Sequence, residues 1–222
     1  CLRIARELSQ SYPVFLVNSV NPDRLQGQKT AAFEVVDVLG VQPDIHAMPL
    51  GNAGNISAYH LGYKEDLAAG RIKMLPKLFG IQAEGSAPFV KGSPVAKPDT
   101  IATAIRIGNP ASWDLAQAAK AETQGLFGAV SDSEILWMHR FLSQETGVFV
   151  EPSSATGAAG LFKLSKQGEL KGVNEVVITV TGHGLKDPDW ALKDERGRKI
   201  KPRKVSAQVE SVADVLGLEK NK

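Results

Sequence analysis

Pro49-Leu50-Gly51-Asn52-Ala53-Gly54-Asn55-Ile56-Ser57-Ala58-Tyr59 is the stretch on which the reading of the chain turns. An apolar run from Ile45 ends at Leu50, and small and amide residues follow. Apolar positions then recur at helical spacing, at Ile56, Tyr59, Tyr63 and Leu67. A strand that passes into a helix through Gly-Asn-Ala-Gly-Asn is suited to hold an anion. Its glycines let the backbone come close to a ligand. The first N–H groups of the following helix have no partner within it and point back at the turn. The helix dipole adds about 0.3–1 kcal/mol for a negative charge placed there. Asn52 and Asn55 bring side-chain amide donors. The turn has no Gly-Lys-Ser/Thr, so it is not a nucleotide P-loop, and it is not Gly-x-Gly-x-x-Gly. Neutral donors in a compact cradle suit one phosphate monoester, such as the handle of a bound cofactor. The same turn reads equally as a Gly/Asn-rich helix start that holds no ligand.

Outward from that turn, strands and helices alternate. Residues 2–10 read as the end of a helix, Val14 to Val17 as a short strand, and Leu25 to Leu39 as one helix stopped by Gly40. Ile45 to Leu50 is a strand and Asn55 to Ala69 a helix. Leu78 to Ala83 is a strand, residues 85–98 a loop, and Thr100 to Arg106 a helical turn or a short strand. Pro110 to Gln124 reads as a helix and Leu126 to Val130 as a strand. Ser131-Asp132-Ser133-Glu134 is a capping box opening a helix to about Glu145. Val148 to Val150 reads as a strand and Ser153 to Lys166 as a small-residue helix. Glu175 to Thr181 reads as the strongest strand, and Val209 to Leu216 as a closing helix. The alternation predicts an α/β fold, a mostly parallel sheet with helices on both faces. Ligands of such sheets sit at the carboxyl ends of the strands.

The 222 residues carry 26 basic and 24 acidic groups, so no strong charge marks a nucleic-acid partner. No apolar run has the length of a membrane span. The single cysteine, Cys1, excludes a disulfide framework and a thiolate zinc cluster, and it fits a reducing compartment. The histidines lack ligand spacing, so no metal is expected. The basic run from Lys193 to Lys204 reads as a solvated tail. A chain that opens inside an amphipathic pattern, without Met, is expected to be a piece of a longer protein.

Three donor-rich turns fall at predicted strand ends: Asn18 to Arg24, Gly51 to Asn55, and Thr181 to Gly184. Arg24 offers a rigid fork for a phosphate dianion, with Asn18 and Ser19 to fill the remaining oxygens. Such a charge-assisted bond contributes about 1.5–3 kcal/mol. The alternative is a loop of Asx turns with Arg24 in solvent. Thr181 is placed to bond a ring nitrogen. His183 reads as an acid/base group or as a packed structural histidine. Glu151 reads as a pocket carboxylate or as a helix-start acid. Lys29 and Lys186 are the lysines nearest the turns in sequence.

Taken together, Asn18-Ser19-Val20-Asn21-Pro22-x-Arg24, Gly27-Gln28-Lys29-Thr30, Gly51-Asn52-Ala53-Gly54-Asn55, Thr100 to Gly108, Glu151-Pro152 and Thr181-Gly182-His183-Gly184-Leu185-Lys186-Asp187-Pro188 resemble the threonine synthase family of fold type II pyridoxal-phosphate enzymes. The likeness runs from about Ser9 to Asp194. It implies conversion of O-phospho-L-homoserine and water to L-threonine and phosphate, with pyridoxal 5′-phosphate as cofactor. It assigns Gly51, Asn52, Ala53, Gly54 and Asn55 to the cofactor phosphate and Thr181 to the pyridine nitrogen. It puts Asn18, Ser19, Arg24 and Asn52 around the substrate phosphate. It also implies a homodimer and a cytoplasmic location, with no nucleic-acid or membrane partner.

One part of the family pattern is missing. Its Schiff-base lysine belongs to a Ser-Phe-Lys-Asp type motif well before Asn18, and here only Phe162-Lys163 occurs, between Leu161 and Leu164. Residues 1–17 are therefore expected to be the trailing edge of a small domain, and 18–222 the cofactor-binding large domain. The competing expectations are a threonine or serine dehydratase and a non-catalytic binder of a phosphate ligand. The first lacks a use for the Arg24 set, and the second needs this chain to be whole.

Overall fold

The computed structural model describes residues 2–17, 21–193, 198–201 and 204–218. Helix α1 spans Leu2–Ser11, α2 Pro22–Gln28 and α3 Thr30–Leu39. Strand β1 (Ile45–Pro49) passes through the glycine turn into α4 (Gly54–Ala68). Then come β2 (Lys77–Ala83), the single turn α5 (Pro88–Lys91), a 3-10 turn at Thr103–Ile105, and α6 (Trp113–Glu122). Strand β3 (Leu126–Val130) precedes α7 (Asp132–Phe141), and α8 (Pro152–Lys166) precedes β4 (Val176–Ile178). A 3-10 turn at Gly184–Lys186 ends the first compact unit, residues 1–187. The second unit, residues 188–222, contains α9 (Pro188–Ala191) and α10 (Val209–Leu216).

The four strands are parallel and lie in the order β3-β2-β1-β4. All five β1 residues are buried, as expected of a strand covered on both faces. One face is covered by α3, α4 and α6, through Val36, Ile56, Tyr63 and Ala116 against Met48, Leu78 and Phe127. The other is covered by α7 and α8, through Ile135, Met138, Ala155 and Ala159 against Ile81 and Val130. From β1 the chain winds outward to β2 and β3, then returns to place β4 on the opposite side of β1. The sheet thus changes winding direction beside β1. The crevice outside the carboxyl ends of the strands at such a switch is where α/β sheets bind ligands. The glycine turn follows β1 directly, and Thr181 lies three residues beyond β4.

Close helix–sheet approach is achieved with glycine. A Cβ on Gly160 would stand 2.6 Å from Ile81 Cγ1, and one on Gly157 would stand 3.2 Å from the Met48 backbone. The box at Ser131 forms as the sequence predicts: its Oγ accepts from the Glu134 N–H at 3.3 Å, and the Glu134 carboxylate accepts from the Ser131 N–H at 2.7 Å.

Several element predictions need correction. Val14 to Val17 is not a strand: no neighbouring strand among the described residues offers it a ladder, and Phe15 is 91% exposed. The helix predicted from Leu25 is interrupted at Lys29 and becomes α2 and α3. The helix predicted to Glu145 ends at Phe141, and the next turn, Leu142–Thr146, widens to π geometry before Gly147 stops it at φ 72°. Val148 to Val150 makes only one bridge, Val150 to His183. Glu175 to Thr181 contracts to three residues of ladder, because β4 is an edge strand with β1 as its one neighbour. The loop at 85–98 contains α5, and Thr100 to Arg106 takes the helical alternative. No helix among the described residues is long and apolar enough to cross a membrane. None of their His, Cys, Asp and Glu side chains cluster in threes as a metal site would require.

Candidate active site

The turn after β1 is shaped by an uncommon backbone. Ala53 sits at φ 69°, the left-handed region that favours glycine, and directly precedes α4. No side chain caps this helix. Its first N–H groups are therefore left to whatever lies beyond the turn. Gly51 is packed tightly, since a Cβ there would stand 3.1 Å from Ile105 Cγ2. Gly54 is different. A Cβ there would meet only Gln28 Oε1, at 3.8 Å, so nothing in the protein requires glycine at that place.

The cavity in front of this turn measures about 190 Å³. It is lined by Gly51 to Asn55, Arg24, Gln28, the Ala104 to Ile107 segment, Glu151, Ser153, Thr181 and Lys186. The structure thus brings together Arg24, all five residues of the glycine turn, and Thr181. Asn18 and Ser19 lie outside the described residues. Arg24 is presented by α2, whose N-cap Asn21 accepts from the Asp23 N–H at 2.9 Å. The Asn52 side chain accepts from the Ala111 N–H at 3.2 Å, and its carbonyl accepts from the Ser112 N–H at 3.2 Å. Asn55 Oδ1 accepts from Gln28 Nε2 at 3.2 Å, tying α2 to the first turn of α4.

Thr181 is held by the start of α8. Ser154 Oγ, fully buried, accepts from the Thr181 N–H at 2.9 Å and from the Gly182 N–H, and lies 2.7 Å from Thr181 Oγ1. Ser153 Oγ accepts from the Ala104 N–H at 3.1 Å, fixing the 3-10 turn to the same helix. Glu151 combines its two sequence readings: it is the N-cap residue of α8, and its carboxylate lines the cavity while only 4% exposed. Lys186 Nζ stands 3.5 Å from Glu151 Oε1. A Cβ on Gly182 would collide with the Glu151 carboxylate, so that glycine is the space the acid occupies.

Other candidates lie elsewhere. His183 Nδ1 accepts from the Leu185 N–H at 3.2 Å and its ring meets Phe149 edge-on, which makes it structural. Lys29 pairs with Glu65 at 2.8 Å. Lys163 reaches Glu134 at 3.3 Å and Glu84 at 3.4 Å, away from the cavity lining. Behind the site, His46 is fully buried, with Tyr63 Oη 2.9 Å from Nδ1 and Thr179 Oγ1 2.6 Å from Nε2. Burial pushes its pKa down to about 4, so the imidazole is neutral. Sequence reasoning missed Gln28, Ser153 and Ser154 as site residues. The available signal was the Pro-Ser-Ser start of α8, whose first turn meets the carboxyl end of the sheet.

The donor set fits a phosphorylated aromatic cofactor. An uncapped helix start, an open place at Gly54, a guanidinium and a hydroxyl face one half-open cavity. A family model described as pyridoxal-phosphate dependent enzyme matches residues 1–182. The threonine synthase of Mycobacterium tuberculosis is 56% identical over 195 residues, covering 87% of this chain and 54% of that protein. The threonine synthase of Synechocystis is 51% identical over 216 residues, 97% of this chain and 56% of that protein. The chain spans about half the length of the curated relatives it matches. Among solved structures, the processed form of a threonine deaminase from Solanum lycopersicum superposes with a TM-score of 0.64 at 19% identity, over 80% of this chain and 48% of that one. A maize serine racemase gives 0.67 at 18% identity, over 82% and 56%. At that identity these two speak for the fold alone.

Proposed function

The chain belongs to the pyridoxal-phosphate dependent enzymes, and from that membership we propose that it forms the cofactor-holding part of a threonine synthase, which converts O-phospho-L-homoserine and water to L-threonine and phosphate. In this reading residues 1–17 are the trailing edge of a smaller domain and 18–222 belong to the large one. Gly51, Asn52, Ala53, Gly54 and Asn55 hold the cofactor phosphate through the α4 N–H groups, and Thr181 meets the pyridine nitrogen. Asn18, Ser19, Arg24 and Asn52 receive the substrate phosphate.

The observation that carries the reading is the presence of Arg24 in the same cavity as the glycine turn. A cofactor phosphate needs only the neutral cradle. A second, charged donor suits a substrate that brings its own phosphate. A dehydratase substrate carries no phosphate for that guanidinium to receive. When bound, pyridoxal phosphate supplies the electron sink for carbanion charge. The protein's residues supply the rest. Arg24 orients and neutralises the leaving phosphate, and the buried Glu151 carboxylate, paired with the exposed Lys186, places a charge at the cavity wall. Neither Lys163 nor Lys186 is assigned as the lysine that links the cofactor, since both are engaged with carboxylates.

The test is product analysis on the full-length protein with pyridoxal phosphate. Phosphate and threonine released from O-phospho-L-homoserine are expected. Ammonia from threonine without phosphate release from phosphohomoserine overturns the reading. Arg24→Ala is expected to raise KM for phosphohomoserine by about tenfold or more, the loss of one charge-assisted contact. The enzyme is further read as a cytoplasmic homodimer, and sedimentation of the full-length protein checks the dimer.

A further inference from the structure

Arg24 depends for its place on the helix that carries it. Among the described residues no hydrogen bond or ion pair fixes its guanidinium, and the residue is exposed at the cavity wall. Helix α2 is seven residues long and buries none of them. A helix of that length does not hold itself in water, so contacts with the rest of the protein must place it. Its C-terminal end is pinned to α4: Lys29 pairs with Glu65 at 2.8 Å, and the Lys29 carbonyl occupies the place of a Cβ on Gly62. Arg24 stands one turn before Gln28, so the two share a face of the helix, and both line the cavity. Gln28 Nε2 donates to Asn55 Oδ1 at 3.2 Å, and Asn55 lies in the first turn of α4. The face of α2 that carries Arg24 is thus bonded to the glycine turn. Asn55 meets Gln28 with its oxygen, which leaves its NH2 group as a donor for an anion in the turn.

We propose that Gln28 is a positioning residue that sets Arg24 against the glycine turn, so that the cavity holds a second phosphate at a fixed place beside that of the cofactor. The inference rests on the reading of Arg24 as a donor to the substrate phosphate and adds how that arginine is placed. A long side chain loses rotamer freedom when it grips a ligand. A helix free to rock would add its own loss at each binding event. The bond to Asn55 holds α2 before the ligand arrives, and ordering done in advance lowers the cost of binding. A phosphate in the turn that takes the Asn55 NH2 group keeps the Asn55 oxygen turned to Gln28. The loaded turn therefore keeps the bond made.

The test uses the full-length protein, freed of cofactor and saturated with pyridoxine 5′-phosphate, which has no aldehyde and fills the turn without a covalent link. Inorganic phosphate is then titrated in and its binding read by 31P NMR, with the Arg24 place left open to it. Gln28→Met keeps the length of the side chain and removes the hydrogen bond. It is expected to weaken phosphate about fivefold, within the worth of one hydrogen bond. Arg24→Ala is expected to weaken phosphate about tenfold or more. Because Gln28 acts through Arg24, the double variant is expected to bind within about twofold of Arg24→Ala alone. Unchanged binding in Gln28→Met, or losses that add in the double variant, overturn the proposal. Should Gln28→Met fail to fold, Asn55→Ala removes the same bond from its other end and is read in the same cycle with Arg24→Ala. If Arg24→Ala leaves phosphate binding unchanged, the assignment of Arg24 fails, and this proposal with it. Phosphate bound in the expected pattern by a protein that releases none from phosphohomoserine supports this proposal and overturns the assigned reaction.

Discussion

Two glycines at the site separate stability from binding. Gly54 begins α4 with nothing but Gln28 Oε1 near the place of a Cβ, at 3.8 Å. Gly54→Ala is expected to leave thermal stability unchanged or raise it by up to about 1 kcal/mol, because alanine favours helix. The same change is expected to weaken pyridoxal phosphate several-fold in a fluorescence titration, since the methyl group stands where an anion would sit. Gly182→Ala should act in the other order. Its methyl group meets the buried Glu151 carboxylate, and overpacking of that kind costs about 1–3 kcal/mol in denaturant melts. His46 makes a prediction in pH. Its folded pKa of about 4 lies below the unfolded value, so the unfolded chain binds the extra proton first. The contribution is fully present above about pH 6.5 and is lost as pH falls toward 4, by about 3 kcal/mol in all. Melts of His46→Gln across that range should be flatter than those of the parent.

At the scale of elements, what could be read in the chain followed from local chemistry. The capping box at Ser131, the Gly40 stop and the glycine turn before α4 each depend on neighbours in sequence, and each forms. What could not be read depended on distant partners. Val14 to Val17 has strand composition, yet a strand exists only where an open edge receives it. The Val176 to Val180 run is more β-branched than β1, but its place at the edge of the sheet leaves it three paired residues. The site divides the same way. Arg24 and the turn were visible as local anion chemistry, while Ser154 looked like one more small residue on a packed helix. Its role comes from meeting Thr181 across a sequence separation of 27. Gly160 belongs at this scale too. Gly160→Ala would press on Ile81 and push α8 from the sheet, at a cost of about 1–3 kcal/mol read in urea melts. Because Ser154 rides on that helix, Gly160→Ala is also expected to weaken cofactor binding.

For the whole molecule, the three buried apolar clusters all lie within residues 1–187. The second unit has no buried cluster of its own among the described residues; its α10 exposes Val209 and Leu216, and Leu218 just beyond the helix is exposed too. A chain ending at Asp187 is therefore expected to keep a single cooperative unfolding transition, with a Tm within a few degrees of the parent by calorimetry. A loss of cooperativity would show that the tail is part of the folding unit. One further feature gives this molecule an optical property. Trp113 opens α6 directly after Ser112, whose N–H is bonded to the Asn52 carbonyl, and its ring stacks on Phe89 at 4.4 Å. An indole fastened one residue from the cradle is a built-in lamp beside the binding cavity. Of the two tryptophans of the first unit, Trp113 and Trp137, the former should respond more strongly to a chromophore arriving there, reporting occupancy without a label.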